Sequence, residues 1–218
     1  MRPDSLRPDS LRPDRLRPDI TLAVDTSAAH CAAAVLFGGG RLVVRAEDMA
    51  KGQAERLVPM IEELLAAEGL QWSDLTRLAV GTGPGNFTGI RIAVALVRGL
   101  ALGLKIPALG VTGFEALVFG QDLPLWTLID APRGQFYAQK FPAQRFPDGV
   151  PEIIAAEAVL ALDAPVRRRA DLDGAAFVGA VARVASARAP GENPRPAPFY
   201  LRGADAAPSA DSPPRILP

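Results

Sequence analysis

The chain has 218 residues, 49% hydrophobic and 22% charged, a composition that supports a packed core and argues against a disordered chain. Its 24 basic and 24 acidic residues cancel, so no net field draws it to nucleic acid or an anionic membrane. A single cysteine, Cys31, excludes an intrachain disulfide and a Cys-clustered zinc site, and a single histidine, His30, excludes an HExxH zinc centre.

Residues 1–19 repeat Arg-Pro-Asp every five residues, from Arg2-Pro3-Asp4 to Arg17-Pro18-Asp19. Proline at that spacing blocks helix and central strand, so a disordered extension is expected. No apolar h-region follows the first residues, so no signal peptide is predicted and cytoplasmic residence is the expectation. No window reaches the roughly 18 consecutive apolar residues that span a bilayer. The nearest, Ile90 to Leu104, is interrupted by Arg91 and Arg98.

The body opens with a predicted strand, Ile20 to Asp25, ending at a carboxylate. Cys31 to Phe37 and Arg41 to Arg45 flank Gly38-Gly39-Gly40 and read as a hairpin. A helix is predicted from about Gln53 to Glu68, with Leu57, Ile61, Leu64 and Leu65 on one face and Gly69-Leu70 as its C-terminal cap. Pro59 must kink it or sit near its first turn. Leu75 to Gly81 reads as a strand running into Gly81-Thr82-Gly83-Pro84-Gly85-Asn86-Phe87-Thr88-Gly89. Thr88 is the expected N-cap of a helix from Gly89 to about Lys105. A strand over Pro107 to Val111 and a helix near Gly113 to Phe119 complete a βββαβαβα order. An abbreviated second copy is expected: a hairpin of Leu125 to Asp130 with Gln135 to Phe141, a helix over Ala155 to Leu162, and a short strand at Ala176 to Gly179 leading into a small helix. The expected divisions are 20–118, 119–203 and a Pro/Ala-rich tail at 204–218.

Four features bear on chemistry. The loop Gly83-Pro84-Gly85, with Phe87 and Thr88, presents backbone amides at a helix start, which suits an anion; it lacks the Lys-Ser/Thr of a P-loop, and Pro84 removes a donor. A rigid turn that positions the next helix is the stronger reading. That helix carries Arg91, Arg98 and Lys105 seven apart among apolar and small residues, including Ala95, Gly99, Ala101 and Gly103. So narrow a polar stripe predicts burial on more than one side, in part against another chain. The residues expected at that interface are Gly89, Ile90, Arg91, Val94, Val97, Arg98, Ala101 and Lys105. Asp25 and Asp130, each at the end of its half's first strand, are expected to face a shared cleft. His30 and Cys31, adjacent in a strand, point to opposite faces, so no Cys–His couple is expected and Cys31 reads as core.

The segments Ala23-Val24-Asp25-Thr26-Ser27, Leu57-Val58-Pro59-Met60, Gly81 through Arg91 with its GxGPGxFTGxR pattern, and Pro107 through Val111 resemble the bacterial TsaB (YeaZ) family. Weaker likeness continues through Ile129-Asp130-Ala131, Gly134, Tyr137 and Phe199-Tyr200-Leu201-Arg202. The resemblance implies an ASKHA fold (actin/Hsp70/sugar-kinase-like), α/β with two RNase H-like halves of which the second is abbreviated. It further implies a non-catalytic scaffold in the synthesis of N6-threonylcarbamoyladenosine at position 37 of tRNA. The implied partners are the catalytic subunit TsaD and the ATPase TsaE, with a homodimer when alone, tRNA reached only indirectly and no membrane. The family's interface with TsaD is a helical bundle that uses the helix after the Gly-Pro-Gly loop. No cofactor of its own is implied; a nucleotide would lie at the TsaD joint. Asp25 and Asp130 become vestigial phosphate-site carboxylates, and no catalytic or metal residue is expected. The competing reading is an enzyme acting alone, an ASKHA-type ATPase or an M22-type (glycoprotease-like) peptidase. The single histidine speaks against the peptidase.

Overall fold

A computed structural model describes residues 19–143, 147–189 and 194–201. The repeat at residues 1–18, Arg202 and the 204–218 tail lie outside the described residues.

Alternation along β1 (Ile20–Asp25) organises the first half. Ile20, Leu22 and Val24 point to one face of the sheet and Ala23 to the other, and all are buried. β1 pairs antiparallel with β2 (His30–Phe37), and β2 with β3 (Leu42–Asp48). On its other side β1 pairs parallel with β4 (Arg77–Gly81), which pairs parallel with β5 (Ala108–Val111). The sheet order is β3-β2-β1-β4-β5. Parallel neighbours need crossovers, and α1 (Gln53–Ala67) and α2 (Phe87–Leu104) supply them.

Leu57, Met60, Ile61, Leu64 and Leu65 of α1 and Ile90, Ala93, Val94 and Val97 of α2 pack on Ile20, Leu22 and Val24. α1 continues through Pro59, and it ends where Gly69, at φ +66°, lets the amides of Gly69 and Leu70 close on Ala66 and Leu65. Arg56, clamped between Glu47 and Glu63, ties α1 to β3. α3 (Gly113–Val118) starts at Thr112, whose hydroxyl accepts from the Glu115 amide.

A second sheet repeats the pattern without its fifth strand. β6 (Leu125–Ala131) pairs antiparallel with β7 (Gln135–Phe141), β7 with β8 (Asp148–Ala155), and β6 parallel with β9 (Val166–Arg168). Its order is β8-β7-β6-β9. The protein is thus a mixed α/β structure with two sheets. α3 lies between them, where Phe114 and Leu117 meet Ile129, Tyr137 and Phe141.

Local expectations fail at three places, each for a physical reason. Thr88 is not the N-cap of α2: Asn86 is, because its Oδ1 reaches both the Thr88 and Gly89 amides, at 3.0 and 3.1 Å. Asn86→Ala should therefore lower stability by about 1 kcal/mol, read from the urea midpoint at unchanged slope. The expected helix at Ala155–Leu162 is a 3₁₀ segment, Ala156–Ala161, none of whose residues is buried, so no packed face favours a full helix.

The expected strand at Ala176–Gly179 lies inside α4 (Gly174–Ala187), capped by Asp173 on the Ala176 amide. Phe177, Val178, Val181, Ala182 and Ala185 recur at helical spacing and bury against Ala23, Ala32, Ala34 and Ala79 of the first sheet. So α4, though late in the chain, covers the first sheet's second face. By length and composition alone α2, with Arg91 and Arg98 in it, is apolar enough to cross a membrane. It packs on the domain's own sheet instead, through Ile90, Ala93, Val94 and Val97.

Candidate functional site

Asp25 ends β1 where the chain turns into β2. Its Oδ1 accepts three hydrogen bonds: from the Ser27 amide at 3.1 Å, from the Ser27 hydroxyl at 2.9 Å, and at 2.7 Å it meets His30 Nε2. All three residues are buried. The serine and the histidine share one carboxylate oxygen and do not bond each other. A nucleophile–base relay needs the histidine in the middle, so Ser27 is not activated here. Asp25 Oδ2 has no hydrogen-bond partner and lies so close to Gly81 that a Cβ there would sit 1.9 Å away. The Asp25–His30 couple was not foreseen, although strand alternation had already sent His30 away from Cys31. Cys31 faces the α1–α2 core, where burial first and then Glu47 push its thiol up to about 11.

The two carboxylates do not share a cleft. Asp130 is exposed and lines a cavity of about 330 Å³ with Ser27, Ala28, Pro84, Asn86 and Arg169, whereas Asp25 is sealed behind Ser27. Arg169 escaped the sequence reading, although it ends the run Arg167-Arg168-Arg169 beside that wall. It stacks on Phe177 at 3.8 Å. Burial holds its guanidinium below the usual arginine range, with Asp25, Asp173 and Asp130 opposing. The cleft therefore carries its own cation. Among the described residues, no three His, Cys, Asp or Glu side chains gather into a metal site.

The glycine-rich loop is fastened to the turn after β1. The Asn86 amide donates to the Ser27 carbonyl at 2.7 Å, and the Thr26 hydroxyl donates to the Gly89 carbonyl at 2.6 Å. Gly89 is required by this approach, since a Cβ would lie 1.9 Å from the Thr26 carbonyl oxygen. Asn86 holds the Thr88 and Gly89 amides and Pro84 lacks one, which narrows what the helix start can offer an anion. Of the residues in the anion reading, Gly83, Pro84, Gly85, Phe87 and Thr88, the structure takes Thr88 out through its bond to Asn86, and Pro84 has no amide hydrogen to donate. What the loop does is position α2.

On α2 the expected interface divides. Gly89, Ile90, Val94 and Val97 are buried in the protein's own core, and Ala101 is half-buried against it, so these five are corrected. Arg91, Arg98 and Lys105 are exposed; Lys105 stands just past the helix as its left-handed C-cap. At 100° per residue, the side opposite Ile90, Val94 and Val97 presents Ala95, Gly99 and Leu102, all exposed, Leu102 at 82%. The signal was present: apolar residues beside Arg91 and Arg98 must share their outward side, and those are Ala95, Gly99 and Leu102. At the N-terminal end Arg91 lies over the Phe87 ring at 3.7 Å and its Nε donates to the Tyr200 hydroxyl at 2.9 Å. Phe87 and Tyr200 stack at 5.0 Å. The segment carrying Tyr200 is held to the core by the Phe199 amide on the Thr82 carbonyl.

Comparison with known proteins bears on this arrangement. A profile described as TsaD, tRNA N6-adenosine threonylcarbamoyltransferase, matches residues 43–169. The tRNA threonylcarbamoyladenosine biosynthesis protein TsaB of Escherichia coli K12 is 32% identical over 158 residues, 70% of this chain and 67% of that protein. The protein of the same name from Haemophilus influenzae is 36% identical over 96 residues, 44% of this chain and 40% of that protein. Among solved structures, YeaZ from Pseudomonas aeruginosa superposes with a TM-score of 0.67 at 26% identity, covering 84% of this chain and all of that one. A further Pseudomonas aeruginosa structure, described as similar to peptidase YEAZ, gives 0.69 at 27% over 84% of this chain. With the GxGPGxFTGxR loop locked onto Thr26 and Ser27 and a two-sheet body matching those structures, the chain belongs to the TsaB (YeaZ) family.

Proposed function

We propose that this chain is a non-catalytic subunit in the synthesis of N6-threonylcarbamoyladenosine in tRNA, and that it holds a TsaD-type catalytic subunit, alongside TsaE, against the outward side of α2. The carrying observation is that side itself: a helix apolar enough for a membrane buries only five of its 18 residues and leaves Ala95, Gly99 and Leu102 uncovered. Large apolar surface on a folded domain marks a docking site. The relatives' names support the pathway. The shared TsaD profile and the repeated sheet pattern support an ASKHA-type relative of the catalytic subunit.

The site favours a scaffold over an ATPase or peptidase. Asp25 is buried and bonded to His30 and Ser27, and Asn86 holds the Thr88 and Gly89 amides at the start of α2. On this reading any nucleotide sits at the joint with the catalytic subunit, tRNA contacts that subunit, and the assembly works in the cytoplasm. Alone, the same surface pairs copies of the chain.

The test is mass photometry of the chain alone and mixed with the TsaD of its own organism. The expected result is a one-to-one complex with wild type and none with Leu102→Asp. ATP hydrolysis by the pure chain, lost in Asp25→Asn, would instead establish the ATPase. Asn is the substitution to use, because Asp25→Ala would strand the buried His30 and threaten the fold.

A further inference from the structure

α1 and α2 begin side by side: Gly52, Gln53 and Glu55 share a groove of about 350 Å³ with Asn86, Thr88 and Ile92. Along the α1 flank of this two-helix surface, Glu55 and Glu62 are seven residues apart, hence on one stripe, and both are exposed. Glu63, further round the helix, is already held by Arg45 and Arg56. Along the far flank of α2 run the exposed Arg91, Arg98 and Lys105. Arg195 joins them, closing a second groove of about 540 Å³ with Arg98, Gly99, Leu102 and Ile106. Between the flanks lie Ile92, Ala95, Leu96 and Gly99, which are apolar or small. Among the described residues, none of Glu55, Glu62, Arg91, Arg98, Lys105 and Arg195 takes part in an ion pair.

We infer that the α1–α2 surface is charge-polarised, and that it fits a different protein whose helical face carries carboxylates opposite Arg98 and Arg195 and cations opposite Glu55 and Glu62. The inference rests on the docking reading above and specifies its partner. An arginine brought into an interface without an opposite charge loses hydration and gains nothing, so the partner must supply the acids. A second copy of this chain brings two unpaired carboxylates, Glu55 and Glu62, to five cations: Lys51, which lines the groove beside Glu55, and the four of the basic flank. A net acidic partner can satisfy all five, and it is the occupant that the charge count selects.

The experiment measures binding of the TsaD-type subunit by interferometry at 50 and 300 mM NaCl. It uses wild type, Leu102→Asp, the basic-flank reversal Arg98→Glu with Arg195→Glu, and the acidic-flank reversal Glu55→Lys with Glu62→Lys. All five positions are exposed, and circular dichroism verifies that each variant is folded. Wild-type affinity should fall about tenfold with salt, and the basic-flank reversal should weaken binding at least about tenfold and flatten that dependence. The acidic-flank reversal should also weaken it. If Leu102→Asp abolishes binding while both reversals stay within about twofold of wild type, the surface docks but its charges are not read, and the inference is overturned. A gain in affinity from the acidic-flank reversal overturns it too, since the partner is then acidic throughout. If Leu102→Asp itself changes nothing, it is the docking reading that fails.

Discussion

Val97→Arg is expected to yield no folded protein, whereas Leu102→Asp, five residues along the same helix, should fold normally and lose its partner. Val97 has no exposed surface and belongs to the apolar core that α2 shares with α1, β1 and β4. A guanidinium there cannot reach water and meets no carboxylate among its apolar neighbours. The cost, about 5 kcal/mol or more, rivals the whole stability of a domain. Leu102 is 82% exposed, and a carboxylate there should shift stability by no more than about 0.5 kcal/mol. Circular dichroism and gel filtration read the first effect, co-purification with the TsaD-type subunit the second. A folded Val97→Arg protein defective only in association would mean that α2 turns the opposite side outward.

Two glycines of α2 should respond to alanine in opposite directions. Gly89→Ala would drive a methyl group to 1.9 Å from the Thr26 carbonyl oxygen, which is backbone and cannot swing aside. The N-terminal turn of α2 must then lift from β1, losing the Thr26–Gly89 bond and the fit of Ile90, at a cost of about 3 kcal/mol or more. Gly99 has nothing within 4 Å of the position its Cβ would take. Gly99→Ala should therefore stabilise the isolated chain by about 0.5–1 kcal/mol through helix propensity and reduced freedom of the unfolded chain. It should at the same time weaken docking by thickening the outward surface. Urea unfolding of both variants decides the matter; a stable Gly89→Ala protein would contradict the close approach of loop and turn.

Much of the element pattern was legible locally. β1, β2, α1, α3 and the β6–β7 hairpin announce themselves by two-residue or 3.6-residue alternation and by Gly, Pro and Thr at their ends. α4 was misread because Ala176 to Gly179 taken alone shows no period; the helix emerges only when Phe177, Val181 and Ala185 are seen together against Ala23 and Ala34. β8 and β9 were missed because Pro151 and the Arg167-Arg168-Arg169 run mask short strands whose stability comes from their neighbours.

Family membership was likewise present in one dimension, in the stretch from Gly81 to Arg91. Its physical meaning was not: Gly85 and Gly89 serve the contact with Ser27 and Thr26, more than fifty residues earlier in the chain. By itself the amino-acid order determined that a long apolar helix follows a rigid loop, because helix periodicity and turn chemistry are properties of neighbouring residues. Only the tertiary structure decided that Val94 and Val97 turn inward, that Leu102 and Gly99 turn outward, and that Asp25 meets His30 in the buried turn after β1. Which side of an element is covered depends on chain segments far away in sequence, and α2 is apolar nearly all round, so no local pattern could choose between its sides.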